Sequence, residues 1–263
     1  MNDLLRKQDL ATNPTQRVPI CLCLDVSGSM DRIVGGDVRD TGRTEVIDGK
    51  EWNIVEGGVT AIQELIDGVQ LFYDNLLDDE IARYAAEVCV VTFGGIEPEL
   101  IIDFANLDRQ ESDRQQKIAG LKAHGGTPMG EAVNMALDCL EARKQEYKDA
   151  GVDYYQPWLV LMTDGDPNGS ASELQRAIDR TNDLLNARKL TVFPIGIGDE
   201  ADMNCLARFS PQRPPLRLKG MNFKKFFEWL SRSVSRTSQS MPGAKIILPN
   251  PSEWAIPWTN LQL

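Results

Sequence analysis

Leu24-Asp25-Val26-Ser27-Gly28-Ser29-Met30 closes an apolar run that begins at Val18. A short apolar run bounded by polar residues reads as a buried strand. The D-x-S-x-S that ends it sets one carboxylate and two hydroxyls at alternate positions of a turn. All three are oxygen donors, the set a hard divalent cation such as magnesium selects. One carboxylate and two neutral hydroxyls leave such an ion short of negative charge. It can then accept an acidic ligand from outside. Standing alone, the same residues would equally serve to cap a following helix.

Two further segments change the reading. Gly125-Gly126-Thr127-Pro128-Met129-Gly130 precedes an amphipathic stretch, and Met162-Thr163-Asp164-Gly165-Asp166 follows the apolar run Trp158-Leu159-Val160-Leu161. The chain thus supplies Asp25, Ser27, Ser29, Thr127 and Asp164 from three loops, each at a strand end or a helix start. Thr127 also suits an N-cap ahead of Pro128, and Asp164 a turn residue in Asp-Gly-Asp-Pro. His124 is the sole histidine. An all-oxygen site does not need it, and it reads as a rim residue. Asp31 and Asp166 are weaker candidates.

Outward from these loops, strands are predicted at Val18–Leu24, Val88–Phe93, Leu100–Phe104, Trp158–Thr163, Leu190–Gly196 and Leu216–Leu218. Between them lie helical faces. Val59, Ile62, Ile66, Val69, Phe72 and Leu76 recur at spacings of three and four. Further helices are marked by Arg114–Ala123, by Val133 to Leu140, by Leu174 to Leu185, by Met203–Phe209 and by Phe223 to Val234. Alternation of this kind predicts an α/β fold with a mainly parallel six-stranded sheet and helices on both faces. The short link through Gly94-Gly95 and Pro98 makes Leu100–Phe104 the one antiparallel strand. Ligands in such folds bind at the carboxyl ends of the strands, where Asp25 and Asp164 stand.

The expected organisation is a polar lead-in over 1–17, one domain over 18–240, and an extended Pro- and Trp-containing tail over 241–263. Within the domain, 31–58 is read as an insertion forming a β-hairpin near the metal site. Asp48-Gly49 supplies its turn signal.

The chain has 263 residues and a formal net charge of −11, with a pI of about 4.7. That argues against nucleic acid or an anionic membrane as the main partner. The five cysteines, Cys21, Cys23, Cys89, Cys139 and Cys205, form no C-x-x-C pair and are expected as reduced, mostly buried thiols. Cys21 and Cys23 are expected to face opposite layers of the fold. Residues 1–17 contain no apolar h-region, and no apolar run reaches membrane-spanning length. With the reduced thiols, this makes the expected location cytoplasmic.

The three loops together resemble the metal-ion-dependent adhesion site (MIDAS) of von Willebrand factor A (vWA) domains. Val18-Pro19-Ile20 with the D-x-S-G-S-M motif, Val91-Thr92-Phe93-Gly94-Gly95, the Gly-Gly-Thr-Pro-Met-Gly loop and Leu161-Met162-Thr163-Asp164-Gly165 carry the resemblance. So do Phe193-Pro194-Ile195-Gly196-Ile197-Gly198 and Phe226-Phe227-Glu228-Trp229-Leu230-Ser231. The branch they resemble is the TerY-like (YegL-type) one, linked to bacterial tellurite-resistance gene clusters. The resemblance implies a Rossmann-like vWA domain with a MIDAS at the strand C-termini. It implies Mg2+ as the bound ion, with Mn2+ or Ca2+ as alternatives. It also implies a cytosolic setting with a partner protein kinase and a phosphatase. The stretch 31–58 and the tail after Ser240 look like additions to that pattern.

The expected function is a protein-binding module whose metal accepts an Asp or Glu from a protein partner. Two other classes stand beside it: a metal-dependent hydrolase or phosphoryl-transfer enzyme, and an accessory subunit of an ATP-driven complex. Catalysis needs a base or nucleophile beside the ion. The chain has no P-loop and no G-x-S-x-G, and His124 is the only histidine near the oxygen cluster. The expectation is therefore a non-enzyme.

Overall fold

The first strand, β1 (Val18–Asp25), is buried along all eight residues, as a strand covered by helices on both faces must be. The protein is described here by a computed structural model covering residues 10–47, 50–240 and 246–257. After β1 the chain runs through β2 (Ile33–Ile47), β3 (Lys50–Thr60), α1 (Ala61–Asp78) and the single turn α2 (Ala82–Ala85). Next come β4 (Ala86–Phe93), β5 (Glu99–Ile102), α3 (Leu107–Ala119), α4 (Met129–Ala150) and β6 (Trp158–Thr163). The remainder is α5 (Ala171–Asn186), β7 (Thr191–Gly196), α6 (Met203–Phe209), β8 (Leu216–Leu218), α7 (Phe223–Ser238) and β9 (Ala255–Pro257).

The main sheet has the order β5-β4-β1-β6-β7-β8-β9. β4, β1, β6, β7 and β8 run parallel, and β5 and β9 lie antiparallel at the two edges. The strand order reverses at β1, so the crevice at the carboxyl ends of β1, β4 and β6 is the topological switch point.

Alternation along β1 divides the core. Ile20, Leu22 and Leu24 face a layer with Leu65, Val69 and Phe72 of α1 and Phe226, Phe227 and Leu230 of α7. Cys21 and Cys23 face the other layer, with Val133, Ala136 and Leu137 of α4, Ile178 of α5 and Leu206 of α6. Four of the core helices start on a side-chain cap. Thr60 accepts from Gln63 at α1, Ser170 from Glu173 at α5, Asp202 from Cys205 at α6 and Asn222 from Lys225 at α7. Such caps satisfy backbone donors that a helix leaves open.

The structure corrects the sequence reading in several places. The sheet has seven strands, not six, and two antiparallel edges, not one. The added strand is β9, from the tail. It pairs with β8 while the preceding Trp254 is buried against Phe226 and Trp229. Part of the tail is therefore core. Three residues are too few to show a period, which is why β9 did not read as a strand. Cys21 and Cys23 face one layer, not two, because residues two apart in a strand share a side. α1 begins at Ala61, so Val59 belongs to β3. α3 begins at Leu107, well ahead of Arg114, because Asn106 caps it.

β2 and β3 pair antiparallel as a separate two-stranded sheet, with bulges near its root. Asp48 and Gly49, the predicted turn, lie outside the described residues, as do 241–245 and 258–263 of the tail. All five cysteines are free thiols; four are buried and Cys139 is half-buried.

Candidate metal centre

Asp25 is the last residue of β1, and its carboxylate is wholly buried. Its Oδ1 accepts from the Ser27 backbone N at 2.8 Å, and its Oδ2 accepts from the Thr163 hydroxyl at 2.6 Å. The turn after β1 is a single 3-10 turn, Gly28–Asp31. It places the Ser27 and Ser29 hydroxyls 3.0 Å apart, and Ser29 Oγ donates to Asp164 Oδ1 at 2.7 Å. Asp164 directly follows β6, the parallel neighbour of β1. Four of the five sequence-predicted residues are thus joined in one chain of contacts, Asp25–Ser27–Ser29–Asp164.

Thr127 enters through the backbone. Gly125 has φ +62°, and a Cβ there would come within 2.1 Å of the Gly94 carbonyl oxygen. Only glycine allows that approach and that conformation together. It lets Gly28 donate to the Gly125 carbonyl at 3.1 Å. Thr127 N in turn donates to the Asn168 side-chain oxygen at 2.6 Å, and Asn168 N donates to the Thr127 carbonyl at 3.1 Å. The second loop is therefore tied to both others. The N-cap position of α4 is Pro128, without a side-chain capping bond, so Thr127 is not the cap of that helix. Its side chain is 5% exposed.

Burial pushes the Asp25 carboxyl up to about 6. Hydrogen bonds from Ser27 and Thr163 oppose the rise, and the neighbouring Asp164 adds to it. The site therefore holds carboxylate charge at an energetic cost. Asp164 Oδ2 sharpens the point, being buried with no hydrogen-bond partner. Buried polar atoms are almost always bonded, so this carboxylate oxygen is left with lone pairs open to a ligand.

The donor set fits a hard divalent cation. The Ser27 and Ser29 hydroxyls and the Asp25 and Asp164 carboxylates offer oxygen atoms only. Metal–oxygen distances of about 2.0–2.1 Å in an octahedron require oxygens about 3 Å apart along its edges, the spacing seen between Ser27, Ser29 and Asp164. Among the described residues no group of three His, Cys, Asp or Glu side chains is placed to hold an ion. The candidate set is hydroxyls beside two carboxylates instead.

Sequence reasoning missed Thr163, Asn168 and Arg32. Thr163 carried the clearest signal, as the last strand residue before Asp164. Arg32 gave none, since only the tertiary fold brings its guanidinium to Asp164, at 3.6 Å. His124 is exposed, with Nδ1 against the Lys122 carbonyl oxygen at 3.0 Å. Asp31 and Asp166 are exposed.

Solved structures share this fold at low identity. The vWF domain of the type V pili tip protein Mfa5 from Porphyromonas gingivalis superposes with a TM-score of 0.58 at 14% identity, covering 88% of this chain and 99% of that one. A von Willebrand factor type A protein from Catenulispora acidiphila gives 0.52 at 17%, covering 84% and 43%. Proximal thread matrix protein 1 from the mussel byssus, with a zinc-occupied MIDAS motif, gives 0.52 at 16%, covering 85% and 49%. The chain thus spans less than half the length of the last two. No curated protein matches the sequence. The sequence model of the von Willebrand factor type A domain matches residues 20–225. With the switch-point crevice and its oxygen-lined loops at the ends of β1 and β6, that match places the chain in the von Willebrand factor type A domain family.

Proposed function

We propose that the protein is a metal-ion-dependent protein-binding module. Asp25, Ser27, Ser29, Thr127 and Asp164 would hold one divalent ion, Mg2+ in the cell. An Asp or Glu of a protein partner would complete its coordination. The observation that carries this reading is the orphan Oδ2 of Asp164, buried beside a second carboxylate whose own charge is disfavoured. A bound cation relieves both. The mussel protein, which holds zinc at a MIDAS motif on the same fold, lends support.

The surrounding side chains suit binding rather than turnover. Hydroxyls, an arginine and an asparagine line the loops, and His124 turns to the Lys122 carbonyl. We therefore assign no catalytic residue. The sequence resemblance to the TerY-like branch favours a bacterial cytosolic stress system of the tellurite-resistance type, with a protein kinase and a phosphatase as partners.

Calorimetric titration of Mg2+ and Mn2+ into the purified chain tests the metal reading. One ion should bind per chain, and the Asp25→Ala, Ser27→Ala double variant should lose it. Equal affinity in the two proteins would sink the proposal. For the partners, co-purification with the kinase or phosphatase should be lost on adding EDTA.

A further inference from the structure

Arg32 joins the metal loop to the hairpin root. Its backbone N donates to the Ser29 carbonyl at 3.2 Å, and its carbonyl accepts from Ala61 N, at the start of α1, at 3.0 Å. The side chain reaches back over the site. Nη2 lies 3.6 Å from Asp164 Oδ2 and donates to the Ile197 carbonyl at 3.2 Å; Nη1 lies 3.6 Å from Glu200 Oε2. The slot is shaped for it. Gly198 has φ +75°, and a Cβ there would come within 2.7 Å of Nη2.

The contact with Asp164 has a telling length. At 3.6 Å it is an ion pair but not a hydrogen bond. The carboxylate is neutralised while the lone pairs of Oδ2 stay uncommitted. A guanidinium keeps its charge at any physiological pH, so proton loss cannot remove it. An incoming divalent ion must either displace it or sit beside a like charge a few ångströms away. Glu200, whose side chain is 79% exposed, stands on the far side of the guanidinium as a second anion.

We propose that Arg32 is a tethered counter-cation that competes with the divalent ion for Asp164. In the ion-free state it balances the buried Asp164 carboxylate. When the ion enters, Arg32 yields Asp164 and keeps Glu200. It thereby raises the ion concentration at which the centre fills. The inference rests on the reading of this cluster as a divalent-ion site.

Titration of the full chain with MnCl2 and with MgCl2 tests it. Arg32→Gln should bind either ion on the order of tenfold more tightly than wild type, the scale expected for removing one opposing charge nearby. Thermal melts add a readout that a general packing defect would not give. Ion-free Arg32→Gln should melt lower than ion-free wild type, while the ion-saturated proteins should melt together. In an Asp164→Asn background the same substitution should no longer tighten binding. Equal or weaker affinity in Arg32→Gln, with wild type binding normally, overturns the inference. Failure of wild type to bind either ion overturns the metal-site reading instead. Should Arg32→Gln not fold, Glu200→Gln takes its place. Binding about twofold weaker supports the proposal, since Asp164 is then the one anion left to Arg32 among the described residues. Unchanged or tighter binding overturns it.

Discussion

β1 carries buried charge at both ends, handled in opposite ways. At the amino end, Arg17 lies one residue before the strand, and Glu87 sits beside it in β4. Both Glu87 oxygens are occupied. Oε1 accepts from Arg17 Nε at 3.1 Å, and Oε2 accepts from Arg143 Nε at 2.6 Å and Tyr147 OH at 2.5 Å. The attraction and hydrogen bond of Glu87 outweigh burial and hold Arg143 above its usual value. At the carboxyl end, Asp25 is held with its ionisation disfavoured, and Asp164 keeps an orphan oxygen. A buried carboxylate with every lone pair engaged supports the fold. One left under-compensated in a crevice is a candidate for binding.

The largest test of this contrast is Glu87→Ala. It leaves two arginines buried without their shared anion and should cost about 3–5 kcal/mol of stability. Metal affinity should stay within about twofold, because roughly 20 Å of strand separates the two ends. A comparable loss of metal binding would merge two regions separated here. Asp25→Asn should do the reverse. Ion-free and at pH 7, the variant should gain about 1–3 kcal/mol in denaturant unfolding while its metal binding disappears. A loss of ion-free stability would show that Asp25 is a structural anion like Glu87.

The pH dependence follows from the same group. Asp25 titrates near 6 when folded, against 3.8 as its ordinary value. Between those values the unfolded chain has released the proton and the folded one has kept it. Ion-free stability therefore falls as pH rises from about 4 to 6, by about 3 kcal/mol in all, and levels off above. Subtracting the Asp25→Asn profile isolates this contribution from the other acids. With saturating Mg2+ the slope should vanish or invert, since the cation favours the ionised form. The smallest effect is that of Thr163→Val, which removes one hydrogen bond to Asp25. It should cost about 1 kcal/mol at pH 7 and move the Asp25 titration still higher. A Thr163→Val protein with the wild-type pH profile would show that this bond does not tune the carboxylate.

Much of this was legible in the sequence, for identifiable reasons. β1, β4 and β6 read as strands because they are covered on both faces, which makes Val18–Leu24, Val88–Val91 and Trp158–Met162 unbroken apolar runs. Asp25 and Asp164 read as site residues because each stands where such a run stops. The meeting of Ser29 with Asp164 across 135 positions was implied only by the rule that parallel strands gather their carboxyl ends. Arg32 was not legible, since nothing local distinguishes it from Arg39 or Arg43. β9 was hidden by its brevity, and the start of α3 by a first turn whose only marker is Asn106.

The sheet edges decide how the molecule behaves among its own copies. β5 has four residues and follows Pro98, and β9 has three and ends on Pro257. On its other side from β9, β8 meets β7 at Ile195 and Gly196 alone. On the stretch before them Pro194 lacks an N–H to offer, and Arg213 lies over Phe193. Short, proline-flanked margins give another chain little to pair with. The hairpin differs. Its strands run fifteen and eleven residues as a sheet of their own. The stretch 33–60 carries the acids Asp37, Asp40, Glu45, Asp48, Glu51 and Glu56 against Arg39, Arg43 and Lys50, and this acidic excess, with the net charge of −11 of the whole chain, supplies repulsion in place of brevity. Colloidal stability is therefore electrostatic at the hairpin and steric at the main sheet. Strand-to-strand association should begin at the hairpin, as salt rises or as pH nears the pI of about 4.7.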